Sequence, residues 1–345
     1  MKRIAAGLGL MIGASLAWAD GEVRVSGRVT GGLAYEAAPA GRSALRFSSD
    51  WGPSLLIIKG REELGAGLAV QFHLEDGFSL GDGKSDGIFN RQAMVGIASA
   101  DWGSLMVGRA LSLSDGELWA VDPGGMQTTA IETLVNGRIW GPRSNALTYA
   151  SPQRAGFSLR LQGALGERPG NARAGRQLGA ALSYVDAGWT FKAIVDEARD
   201  ANGRFTDLYN SSRQLALGAK YTQGAASWFG GVCQLSSDRD TVADAFNPLA
   251  ATRNRLAWLG VNVRTGGALT LVGAAYHAAL DKGAGSATLL VAGVKYALSK
   301  NTELFATAGR AANRGKANFA VVVYADRPTP GSAQNGAYVG IVQHW

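Results

Sequence analysis

VRVSGRVTGGLAY, residues 23–35, alternates between two kinds of side chain along its whole length. The odd-numbered positions carry valine, leucine, tyrosine or glycine, whereas the even-numbered positions are polar or small and include Arg24 and Arg28. A period of two places successive side chains on opposite faces of a β-strand. The stretch therefore predicts a strand with one apolar face and one polar face.

The same alternation recurs along the rest of the chain. In residues 67–78, four large apolar side chains alternate with Gln71, His73 and Glu75 among others. Further strands are predicted at residues 157–162, 177–184, 189–196, 214–221, 257–264, 269–276, 289–298, 302–309, 319–324 and 338–345. The 48 glycines show no three-residue period, which excludes collagen. The pattern is that of an all-β chain.

Size and polarity distinguish a soluble sandwich from a membrane barrel. A sandwich domain has about 7–9 strands in about 100 residues. Here the alternation persists for about 300 residues without a linker, and charged residues recur on the second face, as a water-filled bore requires. Short turns at 63–67, 186–188 and 265–267 alternate with long polar loops such as 236–253 and 325–335. At roughly 20 residues per strand and connection, we predict a transmembrane antiparallel β-barrel of about 16 strands.

The N-terminus predicts export. Lys2 and Arg3 precede a small, apolar segment at 4–16, and Ala17-Trp18-Ala19 forms an A-x-A cleavage site. We expect a cleaved signal peptide at 1–19 and one barrel domain at 20–345. No later apolar run approaches 18 residues, so no transmembrane helix is predicted.

Charge and reactive residues narrow the function classes. The net charge of +7 favours anionic solutes or lipid as partners, and export argues against nucleic acid. A single cysteine, Cys233, rules out an intramolecular disulfide framework. His73, His277 and His344 lie far apart in the sequence, so we expect no metal site, no catalytic residues and no cofactor.

One long segment departs from the strand pattern. Residues 103–126 begin as a strand and then lose the period of two for about a dozen residues, over which Asp115, Glu117 and Asp122 occur. Ser114 and Glu117 have the spacing of a capping box, which predicts a short helix. Long irregular loops usually have a function. We expect this one to fold into the lumen and narrow it.

Seven motifs, in this order, resemble those of the general Gram-negative porins in their β-proteobacterial form. They are KGREELGAGL (59–68), GF (77–78), FNRQAMVGI (89–97), GSLMVGR (103–109), NALTYASP with GF (145–157), KYALSKNT (295–302) and YVGIVQHW (338–345). The resemblance covers nearly the whole chain.

The resemblance implies a 16-stranded barrel, usually a homotrimer, whose third loop folds inward and which lets ions and small hydrophilic solutes cross the outer membrane passively. Its lipid partners would be outer-membrane lipid and lipopolysaccharide, and the barrel assembly machinery would act through the C-terminal strand that ends at Trp345. By motif position, the resemblance places Arg28, Arg91 and Arg138 on the basic wall of the constriction. It places Asp122 and Glu117 on the acidic loop that faces this wall, and Asp115 is a further candidate on that loop.

Two positions depart from the resembled family. Leu55 stands where many members have a basic residue, in a strand, 54–58, that is unusually apolar and could face a neighbouring subunit. The chain ends in Trp345 instead of phenylalanine, which keeps a terminal aromatic group.

Several alternatives stay open at this stage. Secondary candidates for the basic wall are Arg24, Arg46, Arg61, Arg109 and Arg143. The net positive charge predicts a slight preference for anions. A substrate-specific porin with a dedicated binding track is the nearest alternative function, followed by a non-conducting adhesin barrel and then by an outer-membrane enzyme.

Overall fold

A computed structural model describes residues 21–37, 43–48, 52–323 and 325–345. The predicted signal peptide lies outside the described residues. In the described part, seventeen strand segments form one sheet. The segments are β1 Gly21–Ala37, β2 Ser43–Ser48, β3 Ser54–Gly65, β4 Leu68–Phe78, β5 Gln92–Ser99, β6 Gly103–Leu111, β7 Pro142–Ala150, β8 Phe157–Ala164, β9 Gln177–Asp186, β10 Trp189–Ala198, β11 Arg213–Gln223, β12 Ala226–Ser236, β13 Arg253–Arg264, β14 Leu269–Leu280, β15 Gly285–Ala297, β16 Thr302–Arg314 and β17 Ala333–His344.

The sheet closes on itself as an antiparallel barrel. From β3 onward each strand pairs with the next strand along the chain, and β1 pairs with β17, from Arg28 opposite His344 to Glu36 opposite Gly336. The first half of β1 pairs with β3 and its second half pairs with β2. Segments β2 and β3 are thus two halves of one barrel strand, so the barrel has the predicted 16 strands. Closure pairs the sheet edges that lipid does not tolerate.

The two faces of β1 have the predicted polarity. Val23 and Val25 are largely exposed on the outside of the barrel, whereas Thr30, Ala34 and Glu36 are buried on the inside. Exposed leucines, valines and aromatic residues continue around the outside of the barrel and form an apolar outer surface, as in membrane β-barrels.

Connections at the two ends of the barrel differ in length. At one end, the β3–β4 and β9–β10 turns have two residues each, and both Ala66-Gly67 and Ala187-Gly188 have positive φ. This backbone matches the twist of a tight hairpin. At the other end, loops 79–91, 165–176, 199–212, 237–252 and 315–332 are long, although 281–284 is short.

Within the part of the chain that the structure describes, helical structure is confined to the loop between β6 and β7, which we call the inner loop (residues 112–141). It contains α1 Leu113–Leu118 and a 3-10 helix at Ile131–Val135. The helix is present as predicted, but its cap is Ser112, whose hydroxyl accepts a hydrogen bond from the Asp115 amide, and not Ser114. Among the described residues, no helix has the length and apolar character needed to cross a membrane.

The strand predicted at 319–324 is wrong for the described residues 319–323, which lie in the loop between β16 and β17. Phe319 and Val321 are buried inside the barrel. The amides of both residues donate to side chains, of Asn313 and Gln334 respectively, and not to a neighbouring strand. Apolar residues in an inward-folded loop therefore imitate the composition of a strand.

Candidate functional site

The two ends of the inner loop meet at the barrel wall. The Ser112 amide donates to the Gly141 carbonyl at 3.2 Å, and the Ser112 hydroxyl donates to the Ile139 carbonyl at 2.7 Å. These bonds close the inner loop at its base, between the end of β6 and the start of β7.

The middle of the inner loop lies against the inner face of β13. The indole of Trp258 donates to the Val121 carbonyl at 2.9 Å, the Asn262 amide group to the Pro123 carbonyl at 3.1 Å, and the Asn254 amide group to the Leu134 carbonyl at 2.8 Å. These three strand residues are four positions apart and therefore share one face, opposite to that of exposed residues such as Leu259. Side chains that point into the barrel thus hold the loop backbone.

Asp122 anchors the inner loop. Its carboxylate accepts hydrogen bonds from the Tyr276 hydroxyl at 2.7 Å and from the Met126 amide at 2.6 Å, and the side chain is buried. Burial raises the pKa of Asp122 to about 6, against the opposing effect of these hydrogen bonds. The predicted role of Asp122 at the constriction stays a prediction, because its carboxylate has little access to solvent.

Glu117 is surrounded by basic and polar side chains of the wall. Its carboxylate contacts the Lys192 ammonium and Arg160 Nη1, the latter at 2.9 Å, and accepts a hydrogen bond from the Ser183 hydroxyl. Burial opposes ionisation, but the two cations outweigh burial and lower the pKa of Glu117. A charged loop carboxylate is thus matched by two wall cations.

Asp115 is the partly exposed carboxylate among the predicted loop residues. Burial raises its pKa to about 6, while the positive charge of Arg91 and the negative charge of Glu75 act in opposite directions on it. Glu132, which the sequence did not indicate, is fully buried in the same loop. Burial, followed by the nearby Asp115 and Asp122, raises the pKa of Glu132 well above its usual value.

Two of the predicted wall arginines lie close together on one side of the barrel interior, Arg28 on β1 and Arg91 in the β4–β5 loop directly before β5. Arg28 Nε donates to the Pro53 carbonyl at 2.9 Å, and Arg91 Nε pairs with Glu75 at 2.7 Å. Arg28 also lines a cavity of about 370 Å³, and inner-loop residues 125–127 line the same cavity. Arg28 and the inner loop therefore border the same open space.

The third predicted wall arginine, Arg138, lies at the end of the inner loop and is buried. Its guanidinium donates to the hydroxyl and carbonyl of Ser212 at 2.8 and 2.9 Å and pairs with Asp196 at 3.1 Å. Arg143 reaches the same carboxylate oxygen at 2.7 Å. Arg138 therefore ties the loop to the wall, and its predicted place at the opening stays a prediction.

The remaining secondary candidates have partners near them in the fold. Arg24, Arg46 and Arg61 pair with Glu22, Glu36 and Glu63 at 2.5, 2.8 and 2.6 Å. Arg109 donates to the Asn90 carbonyl at 2.6 Å.

Sequence reasoning did not select several residues that the structure places at the inner loop. Lys192, Arg160 and Asp196 lie in the strands predicted at 157–162 and 189–196, where each alternates with apolar neighbours. Each meets the loop through contacts between residues 43 to 75 positions apart. The sequence indicated only that alternation places these side chains on the inner face of the barrel, and many other residues share that position.

Comparisons with known proteins agree with this architecture. The family model described as Gram-negative porin matches residues 5–316. Outer membrane porin protein 32 of Delftia acidovorans is 28% identical over 99% of both chains, and an outer membrane porin protein of Bordetella pertussis is 26% identical over 79% of this chain and 78% of its own length.

Solved structures share the fold. An anion-selective porin from Comamonas acidovorans superposes with a TM-score of 0.82 at 22% identity, covering 94% of this chain and all of its own. The trimer form of an outer membrane protein of Vibrio cholerae gives a TM-score of 0.68 at 13% identity, with 94% and 99% coverage. The chain therefore belongs to the Gram-negative porin family, and its barrel forms a water-filled channel for ions and small hydrophilic solutes across the outer membrane.

Proposed function

We propose that the inner loop forms the narrow section of this channel and that the narrow section favours anions. In this proposal Arg28 and Arg91 form the basic wall, and Asp115 and Glu117 are the acidic groups facing it. Asp122 and Arg138 hold the loop in place from buried positions. Opposed charges of this kind order water and align dipolar solutes across the opening.

The observation that carries the anion preference is the excess of basic side chains on the barrel wall that faces the loop. Glu117 faces two cations, Lys192 and Arg160, so its surroundings retain one excess positive charge. The cavity between Arg28 and the loop is lined by four basic or imidazole side chains and by one carboxylate, that of Glu303. Selectivity follows the sign of charge that lines a narrow pore.

In a planar bilayer under a KCl gradient, we expect the reversal potential of the purified channel to have the sign of chloride selectivity. Arg28→Gln removes one wall charge and is expected to shift the reversal potential toward zero. Arg24→Gln is the matched control, since Arg24 is exposed and paired with Glu22. A wild-type channel with potassium selectivity would contradict the proposal.

Chloride selectivity is expected to rise on acidification. The pKa of Asp115 is raised to about 6, so its carboxylate is charged above that pH and neutral below it. Loss of this negative charge near Arg91 leaves the wall more positive. Reversal potentials at pH 5 and pH 8 measure the change. Asp115→Asn should reduce the pH dependence, and an unchanged dependence in that variant would assign the titration to another group.

The working form is proposed to be a homotrimer of residues 20–345 after removal of the signal peptide, surrounded by outer-membrane lipid and lipopolysaccharide. The trimeric Vibrio protein of the same fold supports this assembly. The C-terminal strand ending at Trp345 is proposed to be the segment that the barrel assembly machinery recognises. Native mass spectrometry of unboiled protein tests the trimer.

We infer no catalytic activity, since porins are not an enzyme family.

A further inference from the structure

The inner wall between β1 and β4 carries apolar side chains beside basic ones. Leu55 lies opposite Arg28 of β1 and opposite Gly77 of β4, and Ile57 lies opposite Glu75. Directly opposed residues of antiparallel strands share a face of the sheet. Leu55 and Ile57 therefore point into the bore, not toward lipid or a neighbouring subunit, and both are half-buried.

Arg91 approaches this place from the other side. A Cβ atom added to Gly77 would lie 2.8 Å from Arg91 Cδ, so the aliphatic part of Arg91 passes over Gly77. Gly77 is the direct neighbour of Leu55, and adjacent strands are about 4.8 Å apart. Arg28 on β1, and Arg91 reaching over Gly77 of β4 from the β4–β5 loop, thus flank Leu55 on its two sides.

The charges of this region are not balanced within the described residues. Glu75 pairs with Arg91 at 2.7 Å, whereas the described hydrogen bond of Arg28 Nε goes to a neutral carbonyl, that of Pro53. The region combines net positive charge with aliphatic surface that faces water. A solute that carries both an anionic group and an apolar body can match the two features together.

We propose that Arg28, Leu55, Ile57 and Arg91, which we call the wall strip, form a transit site for small organic monoanions with an apolar body, such as aromatic or branched aliphatic carboxylates. The carboxylate contacts the guanidinium groups while the apolar body covers Leu55 and Ile57 and releases water from them. The site holds the solute briefly, because conduction requires binding weak enough for release. This inference rests on the proposed anion preference.

Benzoate and nicotinate provide matched probes, because they have nearly the same shape and charge and differ in the polarity of the ring. In the wild-type channel we expect benzoate to block chloride current at a concentration about fivefold lower than nicotinate, from partial burial of its ring. Reversal potentials against chloride give the permeability ratio of the two probes from the same recordings.

Two double variants isolate the aliphatic surface. Leu55→Val with Ile57→Val keeps it apolar, whereas Leu55→Thr with Ile57→Thr has almost the same shape and adds hydroxyl groups. The preference for benzoate should persist in the valine pair and fall to near onefold in the threonine pair, with chloride selectivity unchanged in both. If the threonine pair does not fold, Ile57→Thr against Ile57→Val gives the same comparison.

The outcomes separate the two proposals. A potassium-selective wild type would overturn both. A chloride-selective wild type that does not discriminate benzoate from nicotinate, or whose discrimination survives the threonine pair, would overturn the wall strip alone. Loss of discrimination in the threonine pair with retention in the valine pair supports it.

Discussion

Asp196→Ala is expected to reduce the stability of the folded barrel by about 3–5 kcal/mol, because it leaves two buried guanidinium groups without their shared carboxylate. Arg138 and Arg143 both pair with Asp196 Oδ1, and all three side chains are almost fully buried. Removing one partner of a buried ion pair is far more damaging than removing an exposed one. Urea unfolding in lipid vesicles, compared with wild type at one pH, measures the change.

The same substitution should also alter the current. Arg138 belongs to the inner loop and Asp196 to β10, so their contact fixes one end of the loop on the wall. We expect Asp196→Ala channels that do fold to show larger current fluctuations. Asp86→Asn, at an exposed site in the β4–β5 loop, is the control and should stay within about 0.5 kcal/mol of wild type. Stability equal to wild type in Asp196→Ala would refute the anchoring role.

Trp258→Ala has the second largest expected effect, about 3–5 kcal/mol of lost stability together with a loosened inner loop. The ring is buried and occupies space left by two glycines, since a Cβ on Gly231 or Gly218 would lie 2.2 or 3.2 Å from Trp258 Cζ2. Its indole N–H also holds the Val121 carbonyl. Truncation therefore opens a cavity behind the loop and removes a bond to it.

Trp258→Phe separates these two contributions. It keeps a smaller aromatic ring and loses the N–H donor with part of the ring volume, so we expect a loss of about 1–2 kcal/mol, smaller than that of Trp258→Ala. Urea midpoints for wild type and both variants give the order, and single-channel recordings should show the highest conductance for the alanine variant. Equal stability of the alanine and phenylalanine variants would show that packing of the ring contributes little.

Strand pattern was predictable because lipid and water impose opposite demands on alternate residues. Val23 and Thr30 fall on the predicted faces, and the 16 strands follow from length. The failure at 319–323 has the same origin. Val321 packs against the inner wall, where a Cβ on Gly336 would lie 2.7 Å from Val321 Cγ1. Packing inside the barrel therefore requires apolar residues at 319–323, although this segment is a loop and not a strand.

The site was less predictable, because charge pairing depends on contacts between distant parts of the chain. Glu117 was selected as a loop carboxylate, but its partner Lys192 lies 75 residues later. The motif position of Arg138 predicted a residue of the basic wall, but its side chain is buried and paired with Ser212 and Asp196. An amino-acid type and a motif position do not reveal whether a charged group faces solvent or a counterion.

The inner loop makes the two sides of the barrel interior unequal. Inward residues of β10 to β14, such as Ile194, Ala216, Leu256 and Tyr276, are buried beneath loops, whereas several inward residues of β1, β3 and β4 are only half-buried, among them Arg28, Leu55, Ile57, Gln71 and His73. The part of the pore that is open to solutes therefore lies off-centre, beside strands β1 to β5. Redesign of solute preference can be confined to that side, while the later strands serve as a scaffold whose residues should be left unchanged.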